Sequence, residues 1–462
     1  MDNNNTRILA AGHTVSNDTW QTGLNNNDLI IGPSGAGKTR GYVIPNILQC
    51  SGSMVVTDTK GALCAELGPV LKKEGYQVVE LNLADCRKSP WGYNPLAYIR
   101  SGYRGRPSEQ DILTLAACLV PLETRHDPYW ELMARICLES AASYVLEALP
   151  EGEQDLASVV RLTSEMGRQG RYKRLMEELA AIDPDSFALA RYRMCQPVLE
   201  EADRTGACIF SFLASKLSPL AFDGAKHLFR HYRRVDIREL GRRKTAVFLN
   251  ISDTDSAMYR LANVFYTQAF HTLCGMADKS PGHRLKVPVR FYLDDFASNV
   301  MIPGFDRIIS VIRSREIAVS VIIQSLSQLE SLYESARAMT IVNNCDNLLC
   351  LGSGRDMETA GYISRQANVP VSAVLNTPLE DAWLLTRGRP AQKVRKYDLK
   401  AHPFYGRLPE AGEKAERKDR ENQKDKEERK DKESQEDREE RRDREEKRQK
   451  EAAKEKQPET MA

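Results

Sequence analysis

The sequence predicts an α/β fold in which a doubly wound, mostly parallel sheet is split by an all-helical insertion and followed by a charged tail. Three observations predict it. A strand-like run, Leu29-Ile30-Ile31, passes straight into Gly32-Pro33-Ser34-Gly35-Ala36-Gly37-Lys38-Thr39, a glycine loop that opens a helix. Strand and helix patterns alternate on both sides of a long stretch, residues 104–241, that shows helical periodicity only. The end of the chain, residues 409–462, is almost entirely Glu, Lys, Arg, Asp and Gln.

Taken in order, residues 1–27 are polar, with Asn-rich patches and short strand-type runs between them. The glycine loop then opens a helix from about Lys38 to Gln49, which Pro45 is expected to bend or end. A second strand, Ser53-Met54-Val55-Val56-Thr57-Asp58, precedes a helix over residues 62–75, and residues 76–83 alternate like a third strand. That pattern implies parallel strands with right-handed crossovers. Helical periodicity follows over residues 110–122, 129–148, 155–165, 172–181, 188–196 and 202–221, with Asp127 as an N-cap and Pro128 at the first helical position. The sheet resumes at Thr245-Ala246-Val247-Phe248-Leu249-Asn250. A helix (256–276), a strand ending in Asp294-Asp295, a helix (304–315), a strand ending in Gln324, a helix (325–339) and a strand (347–351) come next. Residues 381–386 and 394–397 are candidate edge strands. The domain division is therefore 1–103 and 242–408 for the two parts of the sheet domain, 104–241 for the insertion and 409–462 for the tail. The tail repeats Asp-Arg-Glu or Asp-Lys-Glu every six residues without an apolar seam, so it is read as a solvated helix or a tether, not a coiled coil.

Composition excludes some classes. Of 462 residues, 41% are hydrophobic, which supports a real core, and the net charge of +2 means that any nucleic-acid contact must use a local patch. The ten cysteines include no C-x-x-C pair, so buried reduced thiols are expected. The polar, amidic start has no signal-peptide pattern, and no apolar run reaches the length of a membrane span.

The chemistry concentrates at strand ends. Small residues from Ser34 to Gly37 let successive backbone N–H groups converge on one phosphate, Lys38 can reach the outer phosphates, and Thr39 can place its hydroxyl on Mg²⁺. Gly32, Pro33, Ser34, Gly35, Ala36, Gly37, Lys38 and Thr39 are thus the nucleotide cradle. Asp294 fits a magnesium-holding strand end, Asp295 a base for the attacking water, and Gln324 a γ-phosphate sensor. Arg313 and Arg315 stand just before the Gln324 strand. Either fits an arginine finger for a neighbouring subunit or a cation favoured by a helix C-terminus, and Arg313 is preferred as the finger. Asp58 fits two readings equally, a magnesium-water contact or a helix N-cap. His227 and His231 lack metal-ligand company. With Lys226, Arg230, Arg233 and Arg234, then Arg242, Arg243 and Lys244, they form a basic patch that fits DNA or a solvated connecting loop.

The stretches GPSGAGKTRGYVIPN, VVTDTKG, YNPL, DPYWE, FYLDDFAS, FDRIISVIRSREIAVSVIIQSLSQLESLY and IVNNCDNLLCLGS, in that order, make the chain resemble the conjugal-transfer coupling ATPases of type IV secretion. The resemblance runs from about residue 25 to residue 403. It implies a RecA-like motor, ATP and Mg²⁺ as cofactors, assembly as a homo-hexamer, and an inserted helical domain that receives a relaxase-bound DNA strand. It also implies the roles of Asp294 for magnesium, Asp295 as base, Gln324 as sensor and Arg313 as trans finger. The family usually reads T-D-P-K-G-E where this chain has Thr57-Asp58-Thr59-Lys60-Gly61-Ala62, and Glu where it has Asp295. In this chain the segment after Tyr362 is shortened before Arg387 and Lys396. Members usually carry an N-terminal membrane hairpin; with the loop starting at residue 32, this chain is expected to be cytoplasmic, peripheral at the inner face of the membrane, and docked by a membrane-anchored partner or the secretion channel. The expected function is a translocase delivering relaxase–DNA cargo. The alternatives are a nucleotide-binding docking module with little hydrolysis and a chromosome-type DNA translocase.

Overall fold

Nine strands share one sheet in the computed structural model, which describes residues 5–123, 128–166, 170–201, 203–296 and 301–409. A separate hairpin pairs β1 (Thr6–Ala10) with β2 (His13–Ser16). The sheet contains β3 (Asp28–Ile31), β4 (Ser53–Asp58), β5 (Gln77–Asn82), β6 (Thr245–Asn250), β7 (Val289–Leu293), β8 (Ile317–Ile323), β9 (Asn347–Cys350), β10 (Asp381–Thr386) and β11 (Gln392–Arg395). Their order is β11-β10-β9-β3-β8-β7-β4-β6-β5, parallel from β9 to β5 and antiparallel at β9-β10-β11. The central strands β3, β4 and β8 are buried along their whole length, as mostly apolar strands require when helices cover both faces. The edge strand β11 is mostly exposed and carries Lys393 and Arg395, which discourages pairing with another edge.

Topology fixes the site before any side chain is considered. The glycine loop follows β3, Asp294 follows β7, and β8 lies between them. Gln324, at the end of β8, is therefore set between the phosphate loop and the acidic pair. All three strands run the same way, so these ends meet at one edge of the sheet. Arg313 precedes β8 and sits at the opposite edge.

Between β5 and β6 the described residues form helices joined by turns, with only isolated bridges at Gly92–Arg234 and Ser101–Pro107. The helix Tyr129–Ala148 is its centre and packs against Phe187–Glu201 and Asp203–Leu217. Ala134, Cys137, Leu138, Ala141 and Val145 give it a buried face. The expected Asp127 cap lies outside the described residues, and Pro128 occupies the cap position itself, one residue earlier than expected. The repeat tail from residue 410 also lies outside them. No single helix among the described residues is long and apolar enough to cross a membrane; one pair, Arg204–Leu220 with Asp223–Arg230, qualifies jointly but bends by 69° at its break.

Three helical expectations need correction. Pro45 does not end the loop helix. A wide turn at Thr39–Val43, closed by Ile44 N–H to Thr39 O, shifts the ladder, and Pro45 falls near the start of the next segment, Ile44–Leu48, where a missing N–H is tolerated. The expected helix over 325–339 is two, Leu326–Tyr333 and Ser335–Asn343, broken at Glu334 with φ +64°. The helix before β8 covers only Phe305–Val311 and hands over to a 3₁₀ turn at Arg313–Arg315.

Residues Met1–His402 make one compact unit. A second begins at Pro403, and its described part is a 3₁₀ turn, Tyr405–Arg407, with the Arg407 guanidinium 4.0 Å above the Phe404 ring.

Candidate nucleotide site

The glycine loop has the backbone that a phosphate nest needs. Gly35 and Gly37 have φ +78° and +91°, which L side chains rarely adopt, and a Cβ at Gly32 would press on Ala36 Cβ at 3.0 Å and Leu351 Cβ at 3.1 Å. Lys38 is buried and folds back, donating from Nζ to Gly32 O at 2.7 Å and Pro33 O at 3.2 Å. Its ammonium is thus held over the loop by neutral carbonyls, which an anionic ligand would outcompete. Lys396, just past β11, donates to Ala36 O at 3.0 Å, and partial burial lowers its pKa. Sequence reasoning gave Lys396 no place at the loop. Only the antiparallel return of β10 and β11 beside β9 brings it there.

Across β8, Thr39 Oγ1 donates to Asp294 Oδ2 at 2.9 Å. Asp294 also accepts the Asp295 N–H on Oδ1 at 3.0 Å. It is buried, and its pKa is pushed up to about 6, first by loss of solvent and then by the Asp295 charge, against the Thr39 hydroxyl and Lys38. Asp295 adopts φ +49°, a left-handed turn that lifts it off the strand, while the next residue, Phe296, stacks on Tyr333 at 5.6 Å and pins the loop. Gln324 Nε2 lies 3.5 Å from Asp295 Oδ1. The structure therefore gathers Lys38, Thr39, Asp294, Asp295 and Gln324. Hydroxyl and carboxylate side by side are hard oxygen donors of the kind Mg²⁺ takes.

Arg313 stands apart. It is exposed at the far edge of the sheet and donates to Thr19 O at 3.3 Å. With Arg284, Arg290 and Glu316 it borders a cavity of about 330 Å³. Arg315 is occupied by Asp278 Oδ1 at 2.8 Å and Val311 O at 2.7 Å. Asp58 acts as a helix cap: its carboxylate accepts the N–H groups of Leu63 at 2.8 Å, Ala62 at 3.3 Å and Cys64 at 3.4 Å. Those bonds are the helix-cap reading. His227 and His231 meet edge to face, and no group of three metal-ligating side chains occurs among the described residues.

One buried cluster had no sequence expectation. Asp28, fully buried at the start of β3, is 2.8 Å from Arg7 Nε and 3.2 Å from Arg290 Nη1, accepts Tyr42 Oη at 2.6 Å, and accepts Asn347 Nδ2 at 3.0 Å. Tyr42 also meets Ser320 Oγ at 2.9 Å, and its pKa is raised well above normal by burial. The cluster ties the hairpin, the loop helix, β7, β8 and β9 together beneath the phosphate loop.

Comparison with known proteins identifies the family and the fold. Residues 2–367 match the family described as "Type IV secretory system Conjugative DNA transfer". Protein VirD4 of Agrobacterium fabrum is 24% identical over 349 residues, covering 73% of this chain and 49% of that protein, and VirD4 of Rhizobium rhizogenes is 23% identical over the same length. The chain spans about half the length of these curated relatives. The plasmid coupling protein TrwB in complex with ADP and Mg²⁺ superposes with a TM-score of 0.63 at 17% identity, over 85% of this chain and 89% of that one. VirB4 of Thermoanaerobacter pseudethanolicus gives 0.53 at 14% identity, over 87% and 97%. The fold is RecA-like, and with four-fifths of its length matched the chain belongs to the type IV secretory system conjugative DNA transfer family.

Proposed function

We propose that this chain is an ATP-driven coupling protein that delivers relaxase–DNA cargo to a type IV secretion channel, acting as a homo-hexameric ring. The carrying observation is the Thr39–Asp294 hydrogen bond of 2.9 Å across β8, with Lys38 on one side and Gln324 beside Asp295 on the other. Gly32, Pro33, Ser34, Gly35, Ala36 and Gly37 cradle the phosphates of ATP. Lys38 leaves its loop carbonyls for the outer phosphates, and Thr39 and Asp294 hold Mg²⁺, which when bound offsets the phosphate charge. Asp295 takes the proton from the attacking water, and Gln324 senses the γ-phosphate and passes its loss to the helix that follows. Arg313 lies at the wrong edge to serve its own nucleotide, which favours a role at a neighbour's site.

In this reading residues 1–103 and 242–408 form the nucleotide-binding domain, 104–241 the cargo-receiving helical domain, and 409–462 a charged tail. The protein works at the inner face of the membrane, held there by a membrane-anchored partner or the channel itself. A second reading, a docking module that hydrolyses little, is favoured by one observation: Asp295 is a methylene shorter than the usual Glu and sits in a left-handed turn. DNA-stimulated ATP hydrolysis separates the two. The motor reading expects turnover well above a Lys38→Ala control, and equality with that control would leave only the docking module. Capture of relaxase by the intact protein further separates a coupling protein from a chromosome-type translocase.

A further inference from the structure

We infer that Tyr232 and its flanking arginines form a stacking platform for single-stranded nucleic acid. The inference rests on the DNA-handling reading above but concerns a surface remote in sequence from the nucleotide residues. Tyr232 is 91% exposed, an unusual position for a large aromatic ring, and it is not loose. One face is stacked on His231 with ring centroids 4.8 Å apart and planes 23° from parallel, which leaves the other face to solvent. His231 in turn meets His227 at 5.2 Å, and its Nδ1 accepts the Arg233 N–H at 3.1 Å.

The segment behind the ring is fixed by backbone. Gly92 N–H donates to Arg233 O at 2.8 Å, Val235 N–H to Gly92 O at 2.9 Å, and Tyr93 N–H to Leu228 O at 3.1 Å. A Cβ at Gly92 would fall 2.5 Å from both His231 Cβ and Leu228 O, so only glycine allows this approach. The Arg233 guanidinium lies 4.0 Å over the buried Trp91 ring, which orients it without neutralising it.

Charge bookkeeping leaves these arginines in surplus. Arg87 and Lys226 share Asp223, Lys88 pairs with Asp85, and Arg230 pairs with the buried Asp155. Arg233 and Arg234 are exposed and make no ion pair among the described residues. An open aromatic face beside two uncompensated guanidinium groups matches a base stacked on Tyr232 with flanking phosphates on the arginines. Duplex DNA keeps its bases stacked on one another and offers nothing for the ring, so the fit is to a single strand.

The test is fluorescence anisotropy of labelled oligo(dT) and of a blunt duplex with the full-length protein, without nucleotide. Tyr232→Ala should weaken oligo(dT) binding roughly 5- to 150-fold, the range for losing one stacked base. Tyr232→Phe should bind normally, and duplex affinity should stay put in both variants. Replacing Arg233 and Arg234 by Ala should reduce the salt slope for oligo(dT) by about 1.4, two phosphate contacts' worth. Thermal melts confirm that each variant is folded. If the unmodified protein binds oligo(dT) and Tyr232→Ala binds equally well, the platform is wrong and this face serves a protein or solvent, while the DNA reading stands. If the unmodified protein binds neither DNA, both fail.

Discussion

Two carboxylates are buried at opposite ends of the same sheet, and they are built for opposite purposes. Asp28 has two arginines, a tyrosine hydroxyl and an asparagine amide around it. Asp294 has one threonine hydroxyl and one backbone N–H, with a second carboxylate beside it. Burying an ion is costly unless hydrogen bonds and opposite charge compensate it. At Asp28 the compensation is internal, and the result is a lock holding five elements in register. At Asp294 it is incomplete, and the raised pKa records the shortfall. The missing positive charge is what a metal-bound nucleotide would bring.

That contrast can be broken in graded ways. Asp28→Ala strands the buried guanidiniums of Arg7 and Arg290 and should cost about 3–5 kcal/mol in urea unfolding. A loss under about 1 kcal/mol would mean that the cluster is not a lock. Asp294→Asn should do the reverse in the ligand-free protein. A carboxyl that titrates near 6 rather than 3.8 holds a proton in the fold that the unfolded chain releases, so stability falls as pH rises through that window. The penalty is complete above about pH 6 and at most about 3 kcal/mol. The asparagine variant should therefore match the parent near pH 4, exceed it at pH 7.5, and lose the Mg²⁺-dependent part of nucleotide stabilisation. In the parent, that Mg²⁺-dependent thermal shift should itself shrink as pH drops below about 6, because the metal needs the ionised form. Asp58→Ala, which removes a helix cap and no ligand contact, should cost about 1–2 kcal/mol and spare nucleotide affinity. Tyr42→Phe removes one hydroxyl donor from the lock and should cost about 1.5 kcal/mol.

The difference between the two ends also explains what the sequence can show. The nucleotide end was legible because its geometry is local: glycines from 32 to 37 bend one loop, and Asp294, Asp295 and Gln324 each mark the end of a recognisable strand. The parallel order followed from strand–helix alternation. The lock was not legible, because Asp28 draws partners from positions 7, 42, 290 and 347, and only the strand order brings them together. Arg313 and Arg315 look alike in sequence; Asp278, on another helix, occupies one of them. Asp58 resolved into a cap only once the turn at Gly61, φ +66°, aimed three N–H groups at it. Glu334, a non-glycine residue at positive φ, gave no local signal of the helix break it makes.

The proposed ring requires that Arg313, from the other end of a neighbouring subunit, completes the nucleotide site at one end of the sheet. Mixing two inactive variants tests it most directly. Lys38→Ala has an intact finger and a broken loop, and Arg313→Ala the reverse, each expected to lower ATP turnover by about 10³-fold or more. Mixed rings should recover up to about one quarter of the parental rate, the share of interfaces that join an intact loop to an intact finger in a randomly mixed ring. Full turnover by Arg313→Ala alone, or a mixture no more active than its two components, would contradict the account.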